Sequence, residues 1–279
     1  MSENIVLIYG SFSDVAVLAG GGWASSLGLP NLQKRGLNLI AQSLDLQPSN
    51  TQFTVSLAGP ATLKALCLGP GNISTGHSYR ITVDGVDVTN GWVLGATRAE
   101  WNTLTFEDPN YWTGIPSWDD AERGMWLIHV FEAPVTGRIW KIEIDDQTNP
   151  DGVLRFGRLV MGRFWQPSIN YGHGNNGLSF KDATFKSTTL AGNKHFGRRV
   201  NPRVFRLGFD YIPEAELYDK GYEFQRMAGY DGEVFVIPDP DDGLNRQKRS
   251  FLATCNTMDQ LSQAAFGYGS TAFELEEVI

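Results

Sequence analysis

The sequence predicts a mainly β protein with some α, built as an N-terminal antiparallel β-sandwich followed by a C-terminal α+β unit. Of its 279 residues, 12% are aromatic and 31 are glycine. This composition is typical of strands joined by tight turns, because aromatic side chains fit a pleated sheet and glycine supplies positive φ angles. Short apolar runs fill the first half with no helical period between them, and signals for helix ends are confined to the second half.

The first half reads as a series of short strands separated by turn residues. The segment NIVLIYG opens the chain as a strand, and the nearly continuous apolar run 62–71 is expected of a strand buried on both faces. The pair Asp84-Gly85 predicts a hairpin turn within 78–88. Further strands are predicted at 53–59, 101–108 and 125–132.

The segment 137–146 shows the clearest alternation. Successive side chains of a strand point to opposite faces. The sequence therefore places Ile139, Lys141, Glu143 and Asp145 on one face and Trp140, Ile142 and Ile144 on the other. Six or more such strands at this spacing favour an antiparallel sandwich.

The second half adds helices to further strands. A helix is predicted at 212–229, with Pro213 at its first position, Arg226 in its last turn and Gly229 after it. Gly221 weakens the middle of this helix. Strands are predicted at 182–190, 203–211 and 232–243.

The last forty residues predict a strand, a second helix and a final strand. Thr257 is the expected cap of the helix, with Gln260 three residues on and Gly267 as its end. The segment 271–278 alternates briefly and predicts the final strand. Earlier in the chain, the basic stretch 151–166 is expected to be the last strand of the sandwich, running on into the second unit.

Charge is distributed in blocks. The net charge is −8, which excludes a general affinity for nucleic acid. Between Val153 and Phe209 there are 10 basic residues and 1 acidic residue, whereas between Asp210 and Gly243 there are 10 acidic and 2 basic residues. These blocks are either two faces of one unit or, in a self-assembling protein, complementary surfaces of neighbouring copies.

No motif predicts a cofactor, a metal site or insertion into a membrane. Cys67 and Cys255 stand in apolar surroundings and are expected to be buried thiols rather than a disulfide. The four histidines, His77, His129, His173 and His195, show no ligand spacing. No apolar run approaches the ~20 residues needed to span a bilayer, and the start of the chain lacks a secretory signal, so we expect a chain made in the cytosol.

Aromatic residues cluster in or beside the predicted loops that follow residue 90. Exposed tryptophan faces stack on sugar rings, and loops on a rigid framework carry recognition. The candidate carbohydrate-binding residues are Trp92, Trp101, Tyr111, Trp112 and Trp118. The alternative for each of them is core packing.

Hydrolysis of a glycan is a third interpretation of the same region. The segments FEDPNYW (106–112) and WDDAERG (118–124) place acids beside aromatic rings, and glycoside hydrolysis needs two carboxyl groups flanking the sugar bond. Nothing in the sequence shows that the acids converge, and exposed loop acids give the same pattern. We therefore expect a protein that is not an enzyme.

Several segments in order resemble a known family. They are GWASSLGLPNLQ (22–33), NLIAQS (38–43), the run from 51 to 85 that contains GNIS, and RIWKIEIDDQTNPDGVLRFGRLVMG (138–162). Together they resemble the discoidin-like, or galactose-binding-like, jelly-roll sandwich found in tail proteins of siphophages and prophages, over roughly residues 20–170. The second half resembles more loosely the ring-forming part of a distal tail or minor tail protein, although the two parts stand in the reverse order here.

The resemblance implies a structural virion protein of the phage tail tip, assembled in the host cytoplasm. It implies a sandwich at 1–155 and a ring-forming assembly domain at 156–279. The partners would be further copies of the chain in a hexameric or trimeric ring, other phage tail proteins and a host surface glycan. The expected assembly residues are Arg158, Arg163, Arg198, Arg199, Arg203, Glu214 and Glu216. A carbohydrate-binding module that attaches to a bacterial surface glycan is the alternative function.

Overall fold

A computed structural model describes residues 3–95, 105–107, 111–112, 123–172, 176–189, 192–243 and 245–279. Within these residues the chain is mainly β, with two eight-stranded sheets and one separate two-stranded hairpin. All strand pairs are antiparallel. No helix in this part of the chain has the length and apolarity needed to cross a membrane.

The first sheet has the strand order β3-β9-β4-β8-β5-β6, with β2 paired to β4 and β7 paired to β5. Its strands are β2 (Val17–Ala19), β3 (Ala41–Gln42), β4 (Gln52–Gly71), β5 (Ser78–Val83), β6 (Val86–Asp87), β7 (Val93–Leu94), β8 (Met125–Asp145) and β9 (Arg155–Val160).

The second sheet has the order β10-β1-β15-β16-β18-β14-β11, with β17 paired to β18. Its strands are β1 (Val6–Ser11), β10 (Gly162–Trp165), β11 (Gly177–Phe180), β14 (Arg203–Pro213), β15 (Glu233–Ile237), β16 (Phe251–Met258), β17 (Ser262–Ala265) and β18 (Tyr268–Glu277). The separate hairpin joins β12 (Phe185–Thr188) to β13 (Lys194–Gly197).

Among the described residues, the helical elements are short. They are two 3₁₀ turns (Phe12–Val15 and Leu29–Gln33), helix α1 (Glu214–Glu216), a π-helical segment (Leu217–Gly221), helix α2 (Tyr222–Ala228) and helix α3 (Arg246–Arg249). The three elements of 214–228 follow one another directly and cover one face of the second sheet, where Leu217, Phe224 and Ala228 join its core.

The first sheet folds over into a sandwich along the long strands β4 and β8. Their pairing shifts register between Ser56 and Ala61, and again nearer the end of β4. Side chains from both parts of these strands meet in one buried cluster, which includes Phe53, Val55, Trp140, Leu66 and Leu127. Full burial of an aliphatic or phenylalanine side chain contributes ~1.5–3 kcal/mol, so this cluster is the main stabilising feature of the sandwich.

The sandwich packs directly against the second sheet. Ala65, Cys67 and Trp126 from β4 and β8 form a buried cluster with Phe235 and Leu252 from β15 and β16. One face of this part of β4 lies in the interior of the sandwich and the other faces the second sheet, so residues 63–69 of the predicted run 62–71 are buried on both faces. The two sheets therefore share a continuous apolar interface.

The sheets divide the chain differently from the predicted division at 155/156. Strand β1 lies between β10 and β15 in the second sheet, although it stands at the start of the chain. Strand β9 closes the first sheet, and the chain crosses to the second sheet between Val160 and Gly162. The stretch 151–166 thus contains the last strand of the first sheet, β9, and continues into β10 of the second sheet. The position of β1 in the second sheet could not be predicted from the sequence, because its partner β15 is more than two hundred residues away.

The predicted helix between Thr257 and Gly267 is wrong. This region forms the end of β16 and a hairpin of β17 and β18, in which Ala265 pairs with Tyr268 across the two-residue turn Phe266-Gly267. Gly267 has a φ of +77°. It is therefore a turn residue and not the end of a helix. The two uses are easily confused in a sequence, because both require the left-handed backbone that glycine adopts readily.

The remaining predicted elements differ from the structure mainly in where they begin and end. The hairpin at Asp84-Gly85 is confirmed, with both residues at positive φ, and the final strand is longer than expected, as β18. The helix predicted at 212–229 begins at Glu214, because Pro213 still belongs to β14. The strand predicted at 101–108 lies outside the described residues except 105–107.

Candidate functional site

Trp92 lies on the outer surface of the sandwich, immediately before β7. Its side chain is 45% exposed. The neighbouring strand β5 places Tyr79 and Ile81 in the core, so the intervening Arg80 points outward. The guanidinium carbon of Arg80 stands 5.3 Å from the centre of the Trp92 ring, within the range of a cation–π contact.

A charged network continues from Arg80 across strand β8. Arg80 pairs with Glu143 in the sheet register, and its Nε donates a hydrogen bond to Glu143 Oε2 at 2.8 Å. Lys141 Nζ donates to the other oxygen of the same carboxylate at 2.9 Å. Burial alone would raise the pKa of Glu143, but the hydrogen bonds from Lys141 and Arg80 outweigh it and hold that pKa below its usual value. Glu143 is therefore an anion at neutral pH.

The loop that carries Trp92 is fixed by Asp87. Its carboxylate accepts hydrogen bonds from the backbone and hydroxyl of Thr89 and from the backbone N–H of Gly91, at 2.8 to 3.0 Å. Such side-chain bonds replace the sheet pairing that a turn lacks. The tryptophan is thus held next to Arg80 by strands β5 and β7 and by the turn that Asp87 stabilises with hydrogen bonds. We call Trp92, Arg80, Lys141 and Glu143 the Trp92 site.

A second aromatic group is formed by residues of the described segments 105–107 and 111–112. Phe106, Tyr111 and Trp112 contact one another edge to face, with ring centres 5.1 to 6.0 Å apart. Phe106 is 73% exposed and Trp112 is 72% exposed. The structure therefore brings Tyr111 and Trp112 together and places Trp92 in a different setting with charged neighbours. Trp101 and Trp118, the other two predicted residues, lie outside the described residues.

The Trp92 site combines the two kinds of contact that a sugar requires. An exposed indole offers a flat apolar surface for the C–H face of a sugar ring. Arg80, Lys141 and Glu143 supply charged donors and acceptors, which make stronger hydrogen bonds than neutral groups. Both sets lie on paired strands or a braced turn, so little ordering is needed when a ligand binds.

The sequence predicts Trp92 as a candidate binding residue but does not predict its three charged neighbours. The signal was present, since the alternation of 137–146 already places Lys141 and Glu143 on one face. The sequence does not predict that β5 pairs with β8, and it is the register of this pair that brings Arg80 opposite Glu143. The acids proposed for hydrolysis, in 106–112 and 118–124, lie largely outside the described residues. Within the described part of the chain, no group of three or more His, Cys, Asp or Glu side chains could hold a metal ion.

The predicted assembly residue Arg158 is not on the surface. It is fully buried between the sandwich and the second sheet. Its guanidinium donates to Asp14 Oδ2 at 2.9 Å, to Glu233 Oε2 at 2.9 Å and to the carbonyl of Leu32 at 3.2 Å. The prediction that it pairs with a neighbouring copy is therefore corrected, because its donors are used within the chain.

Four other predicted assembly residues also have partners within the chain. Arg203 is buried and pairs with Glu277, and Arg163 pairs with Glu223. The carboxylate of Glu216 accepts hydrogen bonds from Trp165 and Ser168, and that of Glu214 accepts one from Gln263. Arg198 and Arg199 are exposed. They make no side-chain hydrogen bond or ion pair with any residue that the structure describes, and they remain predicted assembly residues.

The thiols lie where the sequence expects them. Cys67 is buried between the two sheets and Cys255 in the core of the second sheet. Burial raises the pKa of both thiols, that of Cys255 to about 12. Both are therefore protonated at neutral pH and have no nucleophilic character.

Comparisons with known proteins give structural likenesses alone. No protein-family model and no curated protein sequence matches the chain. A family 32 carbohydrate-binding module of NanJ from C. perfringens, in complex with galactose, is similar over 57% of this chain and 99% of its own, with a TM-score of 0.38 and 13% identity. A fucolectin from the serum of striped bass (Morone saxatilis) is similar over 97% of this chain and 99% of its own, with a TM-score of 0.34 and 12% identity.

A third solved structure, SpGH29, is similar over 55% of this chain, with a TM-score of 0.36 and 12% identity. The match covers only 28% of the SpGH29 chain. At TM-scores of this size the likenesses carry no conclusion about what the chain binds.

Proposed function

We propose that the chain is a non-enzymatic glycan-binding protein and that its sandwich binds a sugar at the Trp92 site. The observation that carries this proposal is the half-exposed Trp92 ring beside the Arg80–Glu143–Lys141 network. A sugar ring stacked on the indole would find the guanidinium and the carboxylate within reach of its hydroxyl groups. The bacterial surface glycan expected from the sequence is the ligand class of this proposal.

The test is a binding measurement on the full chain with a matched pair of variants. Wild type is screened on an array of bacterial surface glycans, and the affinity for the best ligand is measured by calorimetry. We expect Trp92→Ala to weaken binding by about 30-fold, because truncation of a central aromatic anchor removes ~2 kcal/mol. Tyr230→Ala removes an exposed aromatic side chain outside the site and should bind like wild type.

Two results would reject this function. One is that wild type retains no glycan from the array. The other is that Trp92→Ala and Tyr230→Ala bind equally well. The exposed group of Phe106, Tyr111 and Trp112 is the competing location, so Trp112→Ala is measured in the same series to separate the two positions.

We propose a second candidate function, a structural component of a phage tail tip that self-assembles into a ring and joins the tail to its baseplate. The observation that favours it is the separate hairpin β12–β13, whose residues are all exposed and include Lys186, Lys194 and two phenylalanines. Such a surface suits contact with another protein. The two functions are compatible, since a ring subunit can present a sandwich outward.

Labelling tests the second function. Antibody raised against the full chain is applied to purified phage particles produced by a host that carries the gene. Labelling confined to the tail tip, visible by electron microscopy, is the expected result. Particles that contain none of the chain by mass spectrometry would remove this function and leave glycan binding untouched.

A further inference from the structure

The hairpin β12–β13 and the two residues that follow it form an exposed basic arm. Residues 185–188 pair with 194–197, and the hairpin joins neither eight-stranded sheet among the described residues. An isolated two-stranded hairpin is marginally stable in water. This arm also exposes 62% of Phe185 and 57% of Phe196. Its structure is therefore suited to a surface that a partner covers.

The register of the arm places two lysines on the same face as one phenylalanine. Lys186 is paired with Phe196 and Thr188 is paired with Lys194. Directly paired residues of an antiparallel hairpin lie on the same face, so Phe196 shares its face with both lysines. Lys186 forms an ion pair with Asp182 at 3.4 Å.

Other cations of the arm have no such partner. Lys194, Arg198 and Arg199 are exposed, and their side chains make no hydrogen bond or ion pair with any residue in the described part of the chain. These charges retain their full attraction for an acidic surface. Only the surrounding salt screens it.

A surface of the opposite charge lies over the helical segment 214–228. Tyr218 and Tyr222 are exposed and stand four residues apart, so they lie on one side of the segment. Asp219, the residue after Tyr218, is exposed, and among the described residues it forms an ion pair with the adjacent Lys220. We call this region, completed by Glu214 and Phe266, the acceptor surface.

Phe266 extends the acceptor surface at the tip of the β17–β18 hairpin. Its side chain is fully exposed. The turn is attached to the start of the helical segment, because Glu214 N donates a hydrogen bond to the carbonyl of Gly267 at 3.0 Å. Exposed tyrosine and phenylalanine rings beside carboxylates are typical of protein interfaces with a basic partner.

We propose that the basic arm of one copy docks on the acceptor surface of a second copy. The inference rests on the second candidate function. Both surfaces are exposed in the single chain, so neither covers the other within it. Their charges are complementary, and each offers aromatic rings to the other. Because the arm and the acceptor surface are different patches, the contact is head to tail, and it propagates into a closed ring or a filament.

Charge reversal on both sides of the contact tests this inference. The arm variant is Arg198→Glu with Arg199→Glu, and the acceptor variant is Glu214→Arg with Asp219→Arg. A matched control, Lys34→Glu with Lys248→Glu, changes the net charge as much as the arm variant does at two exposed lysines elsewhere. The mass of each full-length protein is measured by light scattering after size exclusion, over a range of concentration.

The expected results are an oligomer for wild type and the control, and at least a tenfold weaker association for each variant alone. An equimolar mixture of the two variants should restore the oligomer, because each reversed surface then meets a reversed partner. Restoration also shows that both variants are folded.

Three results would overturn the inference, and they separate it from the second candidate function. A wild-type oligomer that both variants leave intact removes this contact but keeps self-assembly. A wild-type chain that is monomeric at every concentration rules out both the proposed contact and the self-assembly of the second candidate function. If wild type is monomeric but binds heparin through the arm, lost in the arm variant alone, the occupant is a polyanion and the proposed partner is wrong.

Discussion

Arg158 shows how one side chain joins the two sheets. It lies in β9 of the sandwich, while its carboxylate partners Asp14 and Glu233 come from a 3₁₀ turn and from β15 of the second sheet. The guanidinium is fully buried, and the side chain of Glu233 is 11% exposed. A buried cation of this kind is tolerated only because its charge and its donors are matched.

Removal of this cation should destabilise the chain strongly. Arg158→Met leaves the carboxylate of Glu233 without its partner, and such changes cost about 3–5 kcal/mol. Arg155→Met is the control, because Arg155 pairs with Asp151 on the surface and exposed pairs contribute about 0–1 kcal/mol. The free energy of unfolding in urea measures both. Equal effects of the two substitutions would show that the buried pairs do not hold the sheets together.

His129 gives the stability of the chain a dependence on pH. Burial, with a smaller contribution from the charge of Arg246, lowers the pKa of His129 to about 4. Its Nδ1 lies 3.0 Å from the hydroxyl of Tyr79. In the unfolded chain a histidine takes up a proton near pH 6.5. Below that value the unfolded state binds more protons than the folded state, so stability falls as the pH is lowered from about 6.5 to about 4.

The variant His129→Gln isolates this contribution. We expect the loss of unfolding free energy between pH 7 and pH 4.5 to be smaller in His129→Gln than in wild type. His195→Gln, at an exposed position of the arm, should leave the wild-type dependence unchanged. The prediction fails if His129→Gln and wild type lose stability in parallel over this range.

At the level of elements, most strands could be predicted from local patterns, whereas the helix predicted at 257–267 is wrong. The period of two in 137–146 correctly places Trp140, Ile142 and Ile144 in the core, because burial of one face is a local property of the strand. The error at 257–267 arose because Gly267 has the same backbone requirement in a turn as at the end of a helix. Only the pairing with β18 decides between them, and that pairing is not visible in the local pattern.

The β17–β18 turn should depend on this glycine. A side chain at Gly267, whose φ is +77°, meets no atom within 4 Å but must adopt the left-handed region. We expect Gly267→Ala to destabilise the chain by ~1–2 kcal/mol, and Gly267→Asn by less. Gly59→Ala is the control, since Gly59 has open space and no positive φ. Equal midpoints of thermal unfolding for the two alanine variants would contradict the claim that this turn requires glycine at position 267.

For the molecule as a whole, the main departure from the sequence-based prediction is the place of β1. A boundary at 155/156 implies two separately folded halves. Instead, the first strand completes the second sheet, and a buried cluster joins the two sheets through Trp126 and Phe235, whose ring centres are 4.7 Å apart. Contacts between residues so distant in the chain are set by tertiary packing, which no local pattern records.

This shared interface predicts cooperative unfolding. Neither sheet can lose its structure without exposing the apolar side chains between them, so both should unfold together. Calorimetry of the full chain is expected to show one transition, with equal calorimetric and van't Hoff enthalpies. Two separated transitions would show that the sheets are independent units.

The candidate site was predictable in part for the same reason. Trp92 stands out in the sequence as an aromatic residue in a loop, and the outward direction of Lys141 and Glu143 follows from alternation. Their convergence on Arg80 requires the pairing of β5 with β8, a tertiary feature. The glycan-binding proposal therefore rests on the structure for its polar contacts and on the sequence for its aromatic one.

The most direct test of the glycan-binding account is a crystal structure of the chain with a glycan that it retains. The account predicts a sugar ring stacked on the indole of Trp92, with hydroxyl groups hydrogen-bonded to Arg80 and Glu143. A sugar ring bound elsewhere on the chain, with the Trp92 site empty, would contradict it.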